Sequence, residues 1–142
     1  MNTPRRIFQL SAIAPAFLAV LVASPLPAAD RMRAGLWEFT MTSRGDSRTF
    51  KQCITAEKAG SVNGDTKSAR AFAEKEAAGR CKVTDYKVDG AVVTYSILCG
   101  TRTIRSTTTY HGDQSEGDLF TKTEGEPETA QHVRARRLGD CP

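Results

Sequence analysis

Reactive side chains are few in this chain, and their spacing narrows the chemistry they could do. Cys53, Cys81, Cys99 and Cys141, with His111 and His132, are the residues suited to nucleophilic, redox or metal chemistry. Zinc sites held by four cysteines bring their ligands in pairs two to four residues apart. Here the nearest two are Cys81 and Cys99, so the spacing argues for disulfides over metal. A serine or cysteine nucleophile would need a histidine base oriented by a third group. His111 stands in a His-Gly-Asp turn sequence, and His132 in an arginine-rich stretch. Glu116, Asp118, Glu124, Glu126 and Glu128 could act only as a converging pair, roughly 5–9.5 Å apart for glycoside hydrolysis. Charged loops of this kind are ordinarily just solvated. Neither a phosphate-binding glycine loop, nor His-Glu-x-x-His, nor Cys-x-x-Cys occurs. The sequence therefore implies no catalytic set, no cofactor and no metal ligand.

The N-terminus speaks to compartment. Arg5 and Arg6 precede an apolar run from Ile7 to Ala23, and Ser24-Pro25-Leu26-Pro27-Ala28-Ala29 follows. These are the three parts of a cleavable signal peptide, with the cut expected after Ala28 or Ala29. Gln9, Ser11 and Pro15 interrupt the apolar run, which is also shorter than the ~20 residues a spanning helix needs. Arg5-Arg6-Ile7-Phe8 partly matches a twin-arginine signal, but Gln9 stands where that signal prefers an apolar residue. The general secretory route is the expectation. No cysteine precedes Cys53, which excludes a lipid anchor on an N-terminal cysteine. The expected product is residues 30–142, one periplasmic domain without a membrane anchor, read as a monomer. The leader holds two of the 20 Lys+Arg and none of the 16 Asp+Glu, leaving 18 cationic against 16 acidic residues, a net of +2. That balance excludes a typical nucleic-acid binder. Arg134, Arg136 and Arg137 read as an edge strand kept soluble by alternating arginines.

An even cysteine count in an exported chain reads as two disulfides, with three connectivities open. The elements that must position them are mostly strands. Trp37, Phe39 and Met41 alternate with Glu38, Thr40 and Thr42, the pattern of a half-buried strand. A turn at Ser43 to Ser47 leads into a second strand ending near Ile54, with Phe50, Gln52 and Ile54 on one face and Cys53 on the other. Gly60 to Gly64 reads as loop. Asp65 or Thr66 caps a helix running to about Ala78, with Ala69, Phe72, Ala73 and Glu76 on one stripe, Phe72 as its anchor and Gly79 as its stop. Residues 81–88 and 92–99 flank Asp89-Gly90-Ala91 as a hairpin. A strand over 101–110, a loop through 111–117, and strands over 118–124 and 131–138 complete the count. The expected fold is mainly β with one helix (α+β). It is an antiparallel meander sheet or small barrel of about seven strands, with the helix between strands 2 and 3. Trp37, Phe39 and Met41 are expected to pack against Phe50, Val93, Tyr95 and Ile97.

Register suggests the disulfide pairing. Val93, Tyr95, Ile97 and Cys99 share a face, as do Cys81 and Val83. A three-residue loop, Asp89-Gly90-Ala91, would pair Val88 with Val92 and so set Cys81 opposite Cys99. A two-residue loop would oppose Cys81 to Leu98 and turn one strand's apolar face outward. The expected pairs are Cys81–Cys99 and Cys53–Cys141. Cys53–Cys81 with Cys99–Cys141, bracketing the helix, stays open as the rival.

Gly35-Leu36-Trp37-Glu38 opens the expected domain and Leu138-Gly139-Asp140-Cys141-Pro142 closes it. Between them come Cys53, a helical insert, Cys81, the Tyr95 to Cys99 strand and Tyr110-His111-Gly112-Asp113. This order resembles DUF3617, a bacterial family of exported proteins of unknown function. The resemblance implies a signal peptide, a periplasmic location and this cysteine pattern, and no catalytic residue, ligand or partner.

Export, disulfides and the lack of a catalytic set together favour a non-catalytic binding protein. Its partner would be a small apolar molecule enclosed by the sheet or another exported protein, such as a cell-wall-degrading enzyme that it inhibits. For a protein partner the contact loop would be His111, Gly112, Asp113, Ser115, Glu116 and Asp118. A structural or envelope-stress protein without a ligand ranks second. A hydrolase using the acidic loops ranks third.

Overall fold

The computed structural model describes residues 30–142, so the signal-peptide reading lies outside the described residues. Seven strands form one antiparallel sheet: β1 (Gly35–Ser43), β2 (Asp46–Ile54), β3 (Lys82–Asp89), β4 (Val92–Cys99), β5 (Arg102–Tyr110), β6 (Gln114–Thr123) and β7 (Thr129–Gly139). Two helices, α1 (Ala56–Asn63) and α2 (Thr66–Ala77), connect β2 to β3. The strand order is β2-β1-β7-β6-β5-β4-β3. That is the cyclic order of an up-and-down barrel in which β7 has closed onto β1 while the seam between β2 and β3 stays open. The barrel alternative therefore gives way to an open sheet, because the chain between β2 and β3 is helical and cannot form the closing hairpin.

The single expected helix becomes two. Thr55 accepts the Lys58 N–H at 3.2 Å to start α1, and Ala59, buried to 4% exposure, packs on Trp37 and Ile54. Burying that small-residue face outweighs the helix penalty of Gly60. Asp65 caps α2 through the Ser68 N–H at 2.7 Å, and these hydrogen bonds hold its carboxyl below the usual range. Gly79 follows in the left-handed region. Ala69, 2% exposed, is the buried residue of α2, whereas Phe72 is only half-buried.

Two strand assignments shift. β6 begins at Gln114, taking in the segment read as loop. Gly117 belongs there because a Cβ would collide with the Thr107 carbonyl of the neighbouring strand. The arginine-rich strand is β7, which lies between β1 and β6 and is no edge. Arg136 and Arg134 instead pair across strands with Glu38 at 2.8 Å and Glu116 at 3.9 Å.

The β3–β4 hairpin has a two-residue connection, with Asp89 opposite Val92 and Val88 opposite Val93. A bulge at Thr84 then inserts one residue, so that Val83 again faces Ile97. Odd residues end up facing odd residues by way of the bulge, not the loop. The disulfides are Cys81–Cys99, with Cα atoms 4.3 Å apart, and Cys53–Cys141, at 5.5 Å.

The register assigns the two faces. Trp37, Phe39, Ala135, Ser115, Tyr110, Val93, Tyr95, Ile97, Tyr86 and Val83 share the helix side. Trp37 is fully buried among Met32, Ile54, Ala59 and Ala135, and its indole N–H donates to the Arg33 carbonyl at 2.9 Å. The expected contact of Trp37 with Val93, Tyr95 and Ile97 is not made. Three strands (β7, β6 and β5) separate β1 from β4. Phe50 stacks on Phe39 at 5.3 Å but remains 44% exposed.

Candidate functional site

Arg31 fixes where the helices sit. Its Nε donates to the Gly90 carbonyl at 2.6 Å, and its Nη1 to the Val62 and Gly64 carbonyls at 2.5 and 2.9 Å. Carbonyls left unpaired at the end of α1 are thereby satisfied and tied to the β3–β4 turn. Asn63 adds a reciprocal pair with the Met32 backbone at 2.8 and 2.9 Å. From this anchored corner α2 runs antiparallel to β3: Thr66 Oγ1 accepts the Val88 N–H at 3.0 Å, and Arg70 reaches the Val83 carbonyl at 3.4 Å.

Between the two helices and the β3–β4–β5 part of the sheet lies a cleft of about 470 Å³. Phe72, Ala73 and Ala77 of α2 line one side, and Tyr86, Tyr95, Ile97 and Ile104 of the sheet line the other. These residues are half-buried. Tyr86 and Tyr95 stack with ring centroids 6.0 Å apart. Tyr110 closes the end toward α1; burial first, and then the neighbouring Tyr95 and Tyr86, push its hydroxyl far above the ordinary tyrosine range. Burial likewise raises Tyr86. Exposed Lys58, Glu76 and Arg80 form the polar rim. The Cys81–Cys99 disulfide lines the far end and ties β3 to β4 there. The lining offers apolar and aromatic surface with a few hydroxyls, the composition typical of small-molecule sites.

Two slightly larger recesses, of about 570 and 520 Å³, lie elsewhere on the sheet. In the first, Glu38, Glu116, Arg134 and Arg136 already neutralise one another across the outer face. The second is lined by Arg31, whose guanidinium is already committed to the Gly90, Val62 and Gly64 carbonyls, and by the Gly112 turn.

The six residues expected as a partner-contact loop do not form one loop. His111, Gly112 and Asp113 make a short turn; Ser115, Glu116 and Asp118 lie on β6. The chain's own N-terminal segment occupies the turn: Gly112 bridges to Met32, its N–H donates to the Arg31 carbonyl at 3.0 Å, and Asp113 pairs with Arg33. Ser115 is buried at 9% exposure, and Asp118 accepts from His132 at 2.9 Å. All four cysteines are in disulfides. Among the described residues no cluster of three metal-ligating side chains forms. Sequence reasoning missed the cleft because its lining comes from α2, β3, β4 and β5 together. The one available signal was the run of alternating apolar residues in β4 opposite a helix face made of alanines.

A family model described as a protein of unknown function, DUF3617, matches residues 32–141. The chain belongs to the DUF3617 family. The match spans every element of the sheet and both helices, so the cleft and both disulfides fall within the family domain. No curated protein and no solved structure matches this DUF3617 chain.

Proposed function

We propose that this DUF3617 protein is an exported, non-catalytic binding protein whose cleft takes a small apolar molecule. The observation that carries the reading is the unfilled space of about 470 Å³ facing half-buried Tyr86, Tyr95, Ile97, Ile104 and Phe72. Apolar surface left facing water forfeits about 25 cal/mol per Å², and an apolar ligand recovers it. Small-molecule sites typically span about 300–1,000 Å³ with mainly apolar walls and a few polar groups. Tyr86 and Tyr110 supply hydroxyls that can orient a ligand at low side-chain entropy cost.

Export to the periplasm is supported by the arginine-led apolar N-terminus and by two disulfides, which persist in oxidising compartments. No helix among the described residues is long and apolar enough to cross a membrane. A protein partner at the 111–118 surface is a weaker reading, since Asp113 and Glu116 already pair with Arg33 and Arg134, and Asp118 hydrogen-bonds His132. The same pairing disfavours a hydrolase built on those carboxylates. A purely structural role leaves the open cleft without a reason.

Native mass spectrometry of protein purified gently from its own host tests the reading. The expected spectrum carries an adduct that organic extraction removes and a neutral naphthylamine dye replaces. A clean apo mass together with no dye uptake would overturn it.

A further inference from the structure

The two free edges of the sheet differ. β3 is guarded by the bulge at Thr84, by α2 packed along it, and by hydrogen bonds from Thr66 and Arg70 to its backbone. Among the described residues β2 has no bulge, helix or side-chain bond along its outer backbone, and its only edge charges near the middle are Arg48 and Lys51. Its pairing with β1 runs without a bulge through all nine residues, positions 46–53 are all exposed, and Phe50 is 44% exposed. A long open edge with its outward N–H and C=O groups unpaired is a template for another strand.

We propose that β2 pairs antiparallel with β2 of a second copy of this chain, about a two-fold axis at Phe50, joining the two seven-stranded sheets into one. This goes beyond the cleft reading and does not depend on it. A two-fold axis perpendicular to the sheet superposes helix side on helix side, so opposed residues must share a face. The axis therefore falls at a residue position. Phe50 is the midpoint of Asp46–Ile54, and an axis there pairs the whole strand. Arg48 then faces Gln52 of the partner subunit, and Lys51 faces Thr49 of the partner subunit. An axis at Arg48 or Lys51 would set like charges directly opposite, which sheets disfavour. At Phe50 the two rings meet and extend the Phe39–Phe50 stack, whose centroids are 5.3 Å apart, across the interface. The exposed ring thereby gains a partner, and neither cation meets its like.

Sedimentation equilibrium of the folded, disulfide-bonded protein tests the pairing. The expected mass rises from one chain to two through the micromolar range. Thr49→Lys places a cation opposite Lys51 of the partner subunit at two symmetric positions, and Thr49→Glu places an anion there. Cross-strand charge pairs are each worth about 0.2–1 kcal/mol, so the dimer Kd should weaken roughly 2- to 30-fold in the first variant and tighten by a similar factor in the second. Both variants lose the same Thr40–Thr49 hydroxyl contact at 3.1 Å, and urea unfolding of each at concentrations where it is a single chain separates an effect on folding from one on pairing. A single-chain mass throughout, or two variants that move together or not at all, overturns the proposal.

Discussion

Trp37 and Tyr95 project from the same face of one sheet, yet the first is fully buried and the second is half-buried beside an open space. What lies above each explains the difference. Over Trp37, the Met32 segment, Ile54 and Ala59 close around an indole whose N–H is satisfied. Over Tyr95, α2 offers Ala73 and Ala77 beside a single large residue, Phe72. Small residues on the helix and large ones on the sheet cannot interdigitate to interior density, so space remains. Backbone anchors hold α2 in place: the Arg31 clamp, the Asn63–Met32 pair and the Thr66–Val88 bond. A cleft held by such anchors does not collapse when its walls fail to fill it. One half of the face provides stability and the other provides an opening.

The disulfides should divide along the same line. Cys53–Cys141 straps the solid half across 88 residues, and Cys81–Cys99 straps the cleft across 18. Loop-closure entropy gives about 4.5 kcal/mol for the first and about 3 kcal/mol for the second. Paired Cys-to-Ser substitutions followed by urea unfolding should reproduce that ranking. The Cys81/Cys99 variant should lose more ligand affinity than its stability loss accounts for. The opposite ranking would mean that loop length does not govern the unfolded chain.

Trp37→Ala removes a side chain packed on all sides and should cost about 3–5 kcal/mol. Tyr95→Ala removes one that already borders a void, so its cost should be appreciably smaller. Equal costs by urea denaturation would show the cleft to be packed in solution. A smaller effect concerns alkali. Tyr110 has a pKa raised in the fold, so the folded state keeps its proton where the unfolded chain has lost it. The resulting stability is complete below the ordinary tyrosine value of about 10 and declines as pH rises above it. The slope for one such group is about 1.4 kcal/mol per pH unit. Tyr110→Phe should flatten the loss of stability above that pH; an unchanged slope assigns the alkaline sensitivity elsewhere.

Much of the sheet was legible because strand periodicity records one face at a time. Trp37, Phe39 and Met41 announced β1, and Val93 to Cys99 announced β4 with its face correctly assigned. What stayed hidden depended on neighbours. Gly60 looked like a loop residue until the burial of Ala59 against Trp37 stabilised α1. Gly117 looked like a turn residue until Thr107 required a residue without a Cβ. The Thr84 bulge carries no sequence signature, and it repaired a hairpin whose loop was one residue shorter than expected. The cleft was the least legible feature, since it is a mismatch of side-chain sizes between α2 and the sheet and no single segment contains it.

Filling the cleft tests its role most directly. Ala73 lines it from α2, half-buried and facing the open space, so Ala73→Trp should occupy it without displacing the Trp37 core. Titration of the neutral naphthylamine dye into the native protein and this variant, with urea unfolding in parallel, is the decisive measurement. The expected result is saturable dye binding to the native protein, lost in Ala73→Trp, with folding stability retained. Equal dye binding by both proteins would contradict the assignment of the cleft as the ligand site.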